Sequence, residues 1–310
     1  MNPPSNITRR RFIQAAAATT FAPLLGPGAG WAQQARPATR AIPSSGEAIP
    51  LVGLGSWSTF NVGNDTQARD ACAEVIRNFL LAGGRMIDSS PMYGSSQAVI
   101  GYSLNKLGQS KNVFSADKVW IADGAAGPAQ IEASRRDWGV PRFDLLQVHN
   151  LVSWEAHLPM LFAMKAVGRL RYVGITTSHG RRHRELEQIM TRHPIDFIQL
   201  TYNLIDREAE QRLLPLARER GIAVIVNQPF RKGALLNALE RRRLPAWSAE
   251  IGCTSWAQFA LKFIIAHPAV TCAIPATTQV AHVLENMGTA SGPLPNAGMR
   301  ARMAAIVEGV

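Results

Sequence analysis

The stretch IPLVGLGSW, residues 49–57, decides between two folds. It is an apolar, strand-like run that ends in a serine and a tryptophan. The chain beyond it alternates strand-like and helical segments. Such alternation builds a mostly parallel sheet, either wound open or closed into a barrel. A doubly wound open sheet favours a glycine-rich phosphate loop, GxGxxG, leading directly from the first strand into the first helix. GLGSW (53–57) lacks that spacing, and the next helical pattern begins only at residue 68. The open sheet is therefore the runner-up, and a closed (β/α)8 barrel is the expected fold.

Outward from this run the pattern repeats. Seven further strand-like segments are RMIDSS (85–90), KNVFSADKVW (111–120), FDLLQVHN (143–150), RYVGITT (171–177), IDFIQLTYN (195–203), IAVIVNQPF (222–230) and AVTCAIPATT (269–278). Near-continuous Val, Ile and Leu suit strands covered on both faces. Helical spacing fills the gaps at 68–84, 98–108, 129–140, 155–169, 181–193, 208–221, 254–268 and from 280. A longer linker, 231–253, precedes the seventh of these helices. Eight strand–helix units fit a single barrel domain over residues 45–310, preceded by a linker at 33–44.

With 46% hydrophobic residues the chain can build a sizeable core, which excludes wholesale disorder. No apolar run reaches the roughly 18 to 20 residues of a membrane-spanning helix. The formal charge is +11, but residues 1–32 contribute three arginines and no acid, leaving 30 basic against 22 acidic residues, or +8. That balance suits a solvated surface or an anionic cofactor. The clusters RRHR (181–184) and RRR (241–243) lack the interleaved aromatics of a single-strand binder, so no nucleic-acid partner is expected. Cys72, Cys253 and Cys272 form no CxxC pair and read as structural thiols; no metal site is suggested.

The N-terminus reads as an address. TRRRFIQ (8–14) is followed by the modestly apolar AAAATTFAPLLG (15–26) and by GWA (30–32), with small residues at the exit. The plain alternative is a basic end followed by an alanine-rich helix. The order of features instead resembles a bacterial twin-arginine export signal spanning residues 1–32. That resemblance implies the twin-arginine export machinery as a partner, a folded cargo, a periplasmic location and no stable membrane anchor after cleavage.

The chemistry-bearing residues fall at strand ends, where a barrel of this kind carries its site. Asp88 ends the second strand, Lys118 the third and His149 the fourth, and Tyr93 lies in the loop after the second. A free tyrosine has a pKa near 10, and a nearby ammonium stabilises its phenolate. An aspartate paired with the lysine compensates a buried charge. A neutral histidine orients a carbonyl by donating a hydrogen bond. Together these groups protonate a carbonyl oxygen while another species attacks the carbon. That attacking species is expected from a cofactor, with hydride the natural candidate. Asp117, directly before the lysine, points to the opposite side of an extended strand.

These motifs, with MIDSSPMYGSSQAVIG (86–101), GRLRYVGITT (168–177), VIVNQPF (224–230) and IPATTQVAHVLEN (274–286), identify the chain as resembling the aldo-keto reductases from about residue 45 to 287. The resemblance implies reduction of an aldehyde or ketone, or oxidation of an alcohol, with NADPH as cofactor. Tyr93 is then the general acid, Lys118 lowers its pKa, Asp88 pairs with the lysine and His149 orients the carbonyl. Trp57 and Met92 line the substrate pocket. Gln199 bonds the nicotinamide carboxamide. Thr176 and Thr177 stand for a usual Ser-Asn pair, and Asn227 for a ring that often stacks on the nicotinamide. Ser56, Gln228, Phe230 and Gly233 complete the nearer cofactor contacts; Thr277, Thr278, His282 and Asn286 face the adenosine. Ala276 and His282 occupy two positions that commonly hold the 2′-phosphate with basic side chains, which admits NADH as well. Gln97 replaces a frequent glutamate. Two other readings of the residues are a Schiff-base lyase using Lys118 and a non-catalytic nucleotide-binding barrel.

Overall fold

The computed structural model describes residues 37–308. The expected leader, 1–32, lies outside these described residues. A short antiparallel hairpin comes first, β1 (Thr39–Ala41) and β2 (Ala48–Pro50). Eight further strands follow: β3 (Leu54–Gly55), β4 (Met86–Asp88), β5 (Phe114–Val119), β6 (Phe143–Val148), β7 (Leu170–Thr176), β8 (Phe197–Thr201), β9 (Ala223–Asn227) and β10 (Val270–Ala273). Each pairs in parallel with the next. Parallel bridges from Val52 to Ala273 and from Gly55 to Ala276 join the first of the eight to the last. The arrangement is the expected (β/α)8 barrel. Closure depends on Gly55, because a Cβ there would lie 2.7 Å from the carbonyl oxygen of Ile274.

The helices are α1 (Thr66–Leu81), α2 (Ser96–Leu107), α3 (Gly127–Trp138), α4 (Trp154–Ala166), α5 (His183–Arg192), α6 (Leu213–Arg220), α7 (Ala234–Leu239), α8 (Trp256–Ile265), α9 (Val280–Gly288) and α10 (Ala297–Ile306). Local chemistry sets their limits. The side chains of Asp65, Ser255 and Asn296 cap α1, α8 and α10 by accepting backbone N–H groups of the first turn. Left-handed glycines at 108, 139 and 221 stop α2, α3 and α6.

The structure differs from expectation at four places. The run 49–57 splits between β2 and β3, because the chain there passes from the hairpin to the barrel. The linker expected at 33–44 contains β1. Its Arg40 donates to the carbonyls of Ile265, His267 and Val270, while Ile42 and Ile49 plug the lower end of the barrel against Met86, Phe114, Leu145 and Phe197. The helix expected over 208–221 begins only at Leu213 after a tighter turn at Glu208–Glu210. Pro215 then sits in the first turn, where its missing N–H costs nothing. The linker 231–253 carries α7 and a second tight turn, Ala246–Ile251.

Alternation along the strands positions the site. Inward residues of the lower layers are apolar: Met86, Phe114, Ala116, Leu145, Tyr172 and Phe197 pack together. Outward neighbours such as Ile87, Val119, Leu146 and Ile198 pack beneath the helices. At the C-terminal ends the inward positions turn polar, with Asp88, Lys118, Gln147 and Gln199 all buried. Cys72, Cys253 and Cys272 are free and buried. No described helix is long and apolar enough to cross a membrane.

Candidate active site

Asp88, Lys118, Tyr93 and His149 converge at the upper mouth. Register places Asp88 opposite Ala116 and Lys118 opposite Gln147, so β4, β5 and β6 present the acid, the ammonium and an amide at neighbouring heights. The Lys118 Nζ donates to Asp88 Oδ2 at 2.6 Å and to the Ser89 carbonyl at 2.8 Å. The Asp88 Oδ1 accepts from Gln199 Nε2 at 2.9 Å and from Gln147 Nε2 at 3.4 Å. Tyr93 ends a single tight turn, Pro91–Tyr93, which Ser90 caps. Its ring centroid lies 5.2 Å from the Lys118 Nζ and meets the His149 ring edge-on at 5.7 Å. The acid thus stands behind the lysine and the phenol in front of it.

Burial dominates the electrostatics. It works against the Lys118 ammonium, but the neighbouring carboxylates and phenol outweigh it and hold the lysine pKa above its ordinary value. Burial pushes the Tyr93 phenol up; Lys118 opposes this but does not prevail, so the net shift is upward. The upward shift favours the protonated phenol, the form a general acid needs, while Lys118 pulls in the expected, lowering direction. Burial, assisted by the Lys118 charge, pushes His149 down to about 3, which keeps the imidazole neutral.

In front of this group lies a cavity of about 460 Å³. Asp88, Tyr93 and His149 form its floor, and Ser56, Trp57 and Met92 one wall. Thr176, Thr177, Gln199, Asn227, Gln228, Phe230 and Gly233 border the middle; Ala276, Thr277, His282 and Asn286 border the far end. Two expected site residues are not on the lining. Lys118 is wholly buried behind Tyr93, and Thr278 is solvent-exposed away from the cavity.

Several of these side chains are already engaged. Ser56 Oγ donates to the Asp88 carbonyl, and Thr176 Oγ1 accepts from the Asn150 N–H. Asn227 bonds the Thr177 carbonyl and the Thr201 hydroxyl. Thr177 Oγ1 is different: it is buried, borders the cavity and has no partner among the described residues. An unpaired buried hydroxyl at the mouth, beside a gallery of amides and hydroxyls, fits a long polar cofactor. Sequence reasoning missed Asn150, His179, Lys232 and Glu285, which also line the cavity. Asn150 and His179 follow the ends of β6 and β7, so the strand-end rule already contained the signal. Lys232 places its Nζ 4.7 Å from the centre of the Trp57 ring, across the mouth. Among the described residues no cluster of three or more His, Cys, Asp or Glu could hold a metal.

The comparisons with known proteins agree with this geometry. The Aldo/keto reductase family model matches residues 51–306. The chain is 29% identical over 245 residues to methylglyoxal reductase YeaE of Escherichia coli, covering 77% of this chain and 84% of that protein. It is 27% identical over 230 residues to an NADH-specific methylglyoxal reductase of the same organism, covering 64% and 68%. An aldo/keto reductase from Klebsiella pneumoniae, solved with NADP and acetate, shares the fold with a TM-score of 0.70 at 24% identity, over 84% of this chain and 92% of that one. The chain belongs to the aldo/keto reductase family.

Proposed function

We propose that this reductase acts on small 2-oxoaldehydes of the methylglyoxal type, with Tyr93, Lys118, Asp88 and His149 as its working groups. The substrate class rests on the two methylglyoxal reductases among its relatives. The roles rest on one observation: the Tyr93 ring faces the cavity with a buried, carboxylate-anchored ammonium at its back. Bound NADPH, or NADH, supplies the hydride that reduces the carbonyl carbon. Tyr93 passes its proton to the carbonyl oxygen as charge grows there. The high resting pKa keeps that proton available, and Lys118 stabilises the phenolate left behind. Asp88 holds the ammonium in place and shares its load with the Ser89 carbonyl. Neutral His149 donates a hydrogen bond to the same oxygen, and Trp57 and Met92 form the apolar wall. Gln199 donates an amide N–H to Asp88, and its Oε1 accepts a long 3.4 Å bond from Asn227 Nδ2; the second lone pair of that oxygen would meet the carboxamide.

A Schiff-base role for Lys118 is disfavoured because the amine is buried, paired and held protonated. A purely binding barrel would not need all four groups in contact. The deciding experiment is a titration of NADPH and NADH against intrinsic fluorescence, followed by turnover of methylglyoxal. Tyr93→Phe is expected to abolish reduction and leave cofactor affinity intact. Absence of binding by either cofactor, or unchanged turnover in Tyr93→Phe, refutes the assignment.

We further propose export through the twin-arginine machinery to the periplasm, on the strength of TRRRFIQ and its apolar follow-on. A folded reporter fused to residues 1–32 tests this. Export that survives replacement of Arg9, Arg10 and Arg11 by lysine argues against it.

A further inference from the structure

His149 has two neutral tautomers, and only one can donate a hydrogen bond to a substrate oxygen. The ring lines the cavity, and among the described residues its Nε2 has no hydrogen-bond partner. Donation therefore requires the proton on Nε2 and a bare Nδ1. The Nδ1 lies 2.8 Å from the Ser90 Oγ. Distance alone does not say which atom carries the proton, but the surroundings of Ser90 do.

Ser90 is fully buried. Its Oγ accepts the Met92 backbone N–H at 3.2 Å, the bond that caps the turn carrying Tyr93. Among the described residues no third polar group reaches this oxygen. If Nδ1 donated to Ser90, the hydroxyl proton would be buried without an acceptor, an arrangement native interiors avoid. If the hydroxyl donates to Nδ1, both the Ser90 Oγ and the His149 Nδ1 are satisfied, and the Nε2–H is left facing the cavity. We infer that Ser90 is a positioning residue that fixes His149 as the Nε2–H tautomer, so that the imidazole meets the carbonyl as a hydrogen-bond donor. The same hydroxyl caps the Pro91–Tyr93 turn. It thereby ties the orientation of the general acid to that of the histidine, and both are aimed by one oxygen.

This inference rests on the reductase roles proposed above, but its first test does not. In protein labelled with ¹⁵N-histidine, the His149 signal is assigned by its loss in His149→Gln. It is expected to show a protonated Nε2 and an unprotonated Nδ1 in the wild-type protein, between pH 6 and pH 8. A protonated Nδ1 overturns the inference, whatever the enzyme reduces. Ser90→Ala is expected to lower kcat for carbonyl reduction roughly 100-fold, the low end of what a positioned hydrogen-bonding group contributes. It should leave the Kd for NADPH unchanged and give a mixed tautomer signal. Ser90→Thr keeps a hydroxyl, and the extended backbone at residue 90 (φ −162°, ψ 148°) accepts a β-branched side chain; it is expected to restore both turnover and tautomer. Turnover of Ser90→Ala within twofold of wild type, or equal loss in the Ala and Thr variants, overturns the inference. If Tyr93→Phe remains active while the tautomer is as expected, the reductase roles fail and the tautomer assignment stands.

Discussion

Replacing Asp117 with asparagine should stabilise the protein increasingly as the pH rises. Asp117 lies on the outward face of β5 and is completely buried. Its Oδ2 accepts a 2.6 Å hydrogen bond from Gln97 Nε2, and Gln97 also reaches Ser134 of α3. Its Oδ1 has no partner among the described residues. Burial therefore prevails over the opposing pull of Lys118 and pushes the carboxyl from 3.8 to about 7. The sign follows from linkage. The unfolded chain releases this proton near pH 4, the folded chain only near 7. Between those values the folded state binds more protons, so stability falls as pH rises through the window and levels off above it. From pH 5 to pH 7, at about 1.4 kcal/mol per pH unit and with the slope falling as the folded group begins to ionise, the wild-type protein loses about 2 kcal/mol at this site. Asparagine keeps the shape and the Gln97 contact but cannot ionise. Its advantage over wild type should grow by about 3 kcal/mol between pH 5 and pH 8. Urea unfolding followed by tryptophan fluorescence, with slopes compared, measures the difference. An advantage that is the same at both pH values within about 1 kcal/mol would refute the reasoning, because it would mean that Asp117 ionises alike in both states.

Three further outcomes are expected. Asp88→Ala leaves the Lys118 ammonium buried without its carboxylate and should cost about 3 to 5 kcal/mol in urea unfolding, whereas Asp88→Leu with Lys118→Met should cost less than the two single changes together. His149 is neutral above about pH 3, so kcat/KM should show no histidine limb between pH 5 and pH 8; an inflection near 6.5 that disappears in His149→Gln contradicts the burial argument. Ala276→Lys supplies a charge at the far end of the cavity and should favour NADPH over NADH by about 10- to 100-fold in Kd, measured by fluorescence titration; equal gains for both cofactors would mean that residue 276 does not meet the 2′-phosphate.

Much of this was legible because two simple periodicities carry it. Val/Ile/Leu runs separated by helical spacing led to eight parallel strands, and the strand-end rule led to Asp88, Lys118 and His149. What stayed hidden depends on long-range packing. Nothing local in PATRAIPSSGEAIP (37–50) says that Ile42 and Ile49 will plug a barrel, or that Arg40 will bond a carbonyl 230 positions away. The upward shift of Tyr93 was equally hidden. Chemistry names the lysine as a neighbour that lowers the phenol pKa, but the size of the opposing burial depends on how tightly the Pro91–Tyr93 turn is pressed into the mouth. The motif places Thr278 at the cofactor, yet the chain leaves β10 after Ala273, and residue 278 is exposed.

Lys118 has an acid on each side of its strand, and the two have opposite surroundings. Asp88 faces inward and receives three donors, from Lys118, Gln199 and Gln147. Asp117 faces outward and receives one side-chain donor, from Gln97. Strand alternation alone makes this division, since neighbours one residue apart cannot share a face. The inward acid can therefore anchor the ammonium beneath Tyr93, while the outward one takes up its proton near neutrality without touching the cavity. The two carboxylates are separated in role by environment and not by residue type. It follows that Asp117→Asn should change stability with pH yet leave cofactor affinity untouched, whereas no substitution of Asp88 can do one without the other, because its Oδ1 also holds Gln199 in place.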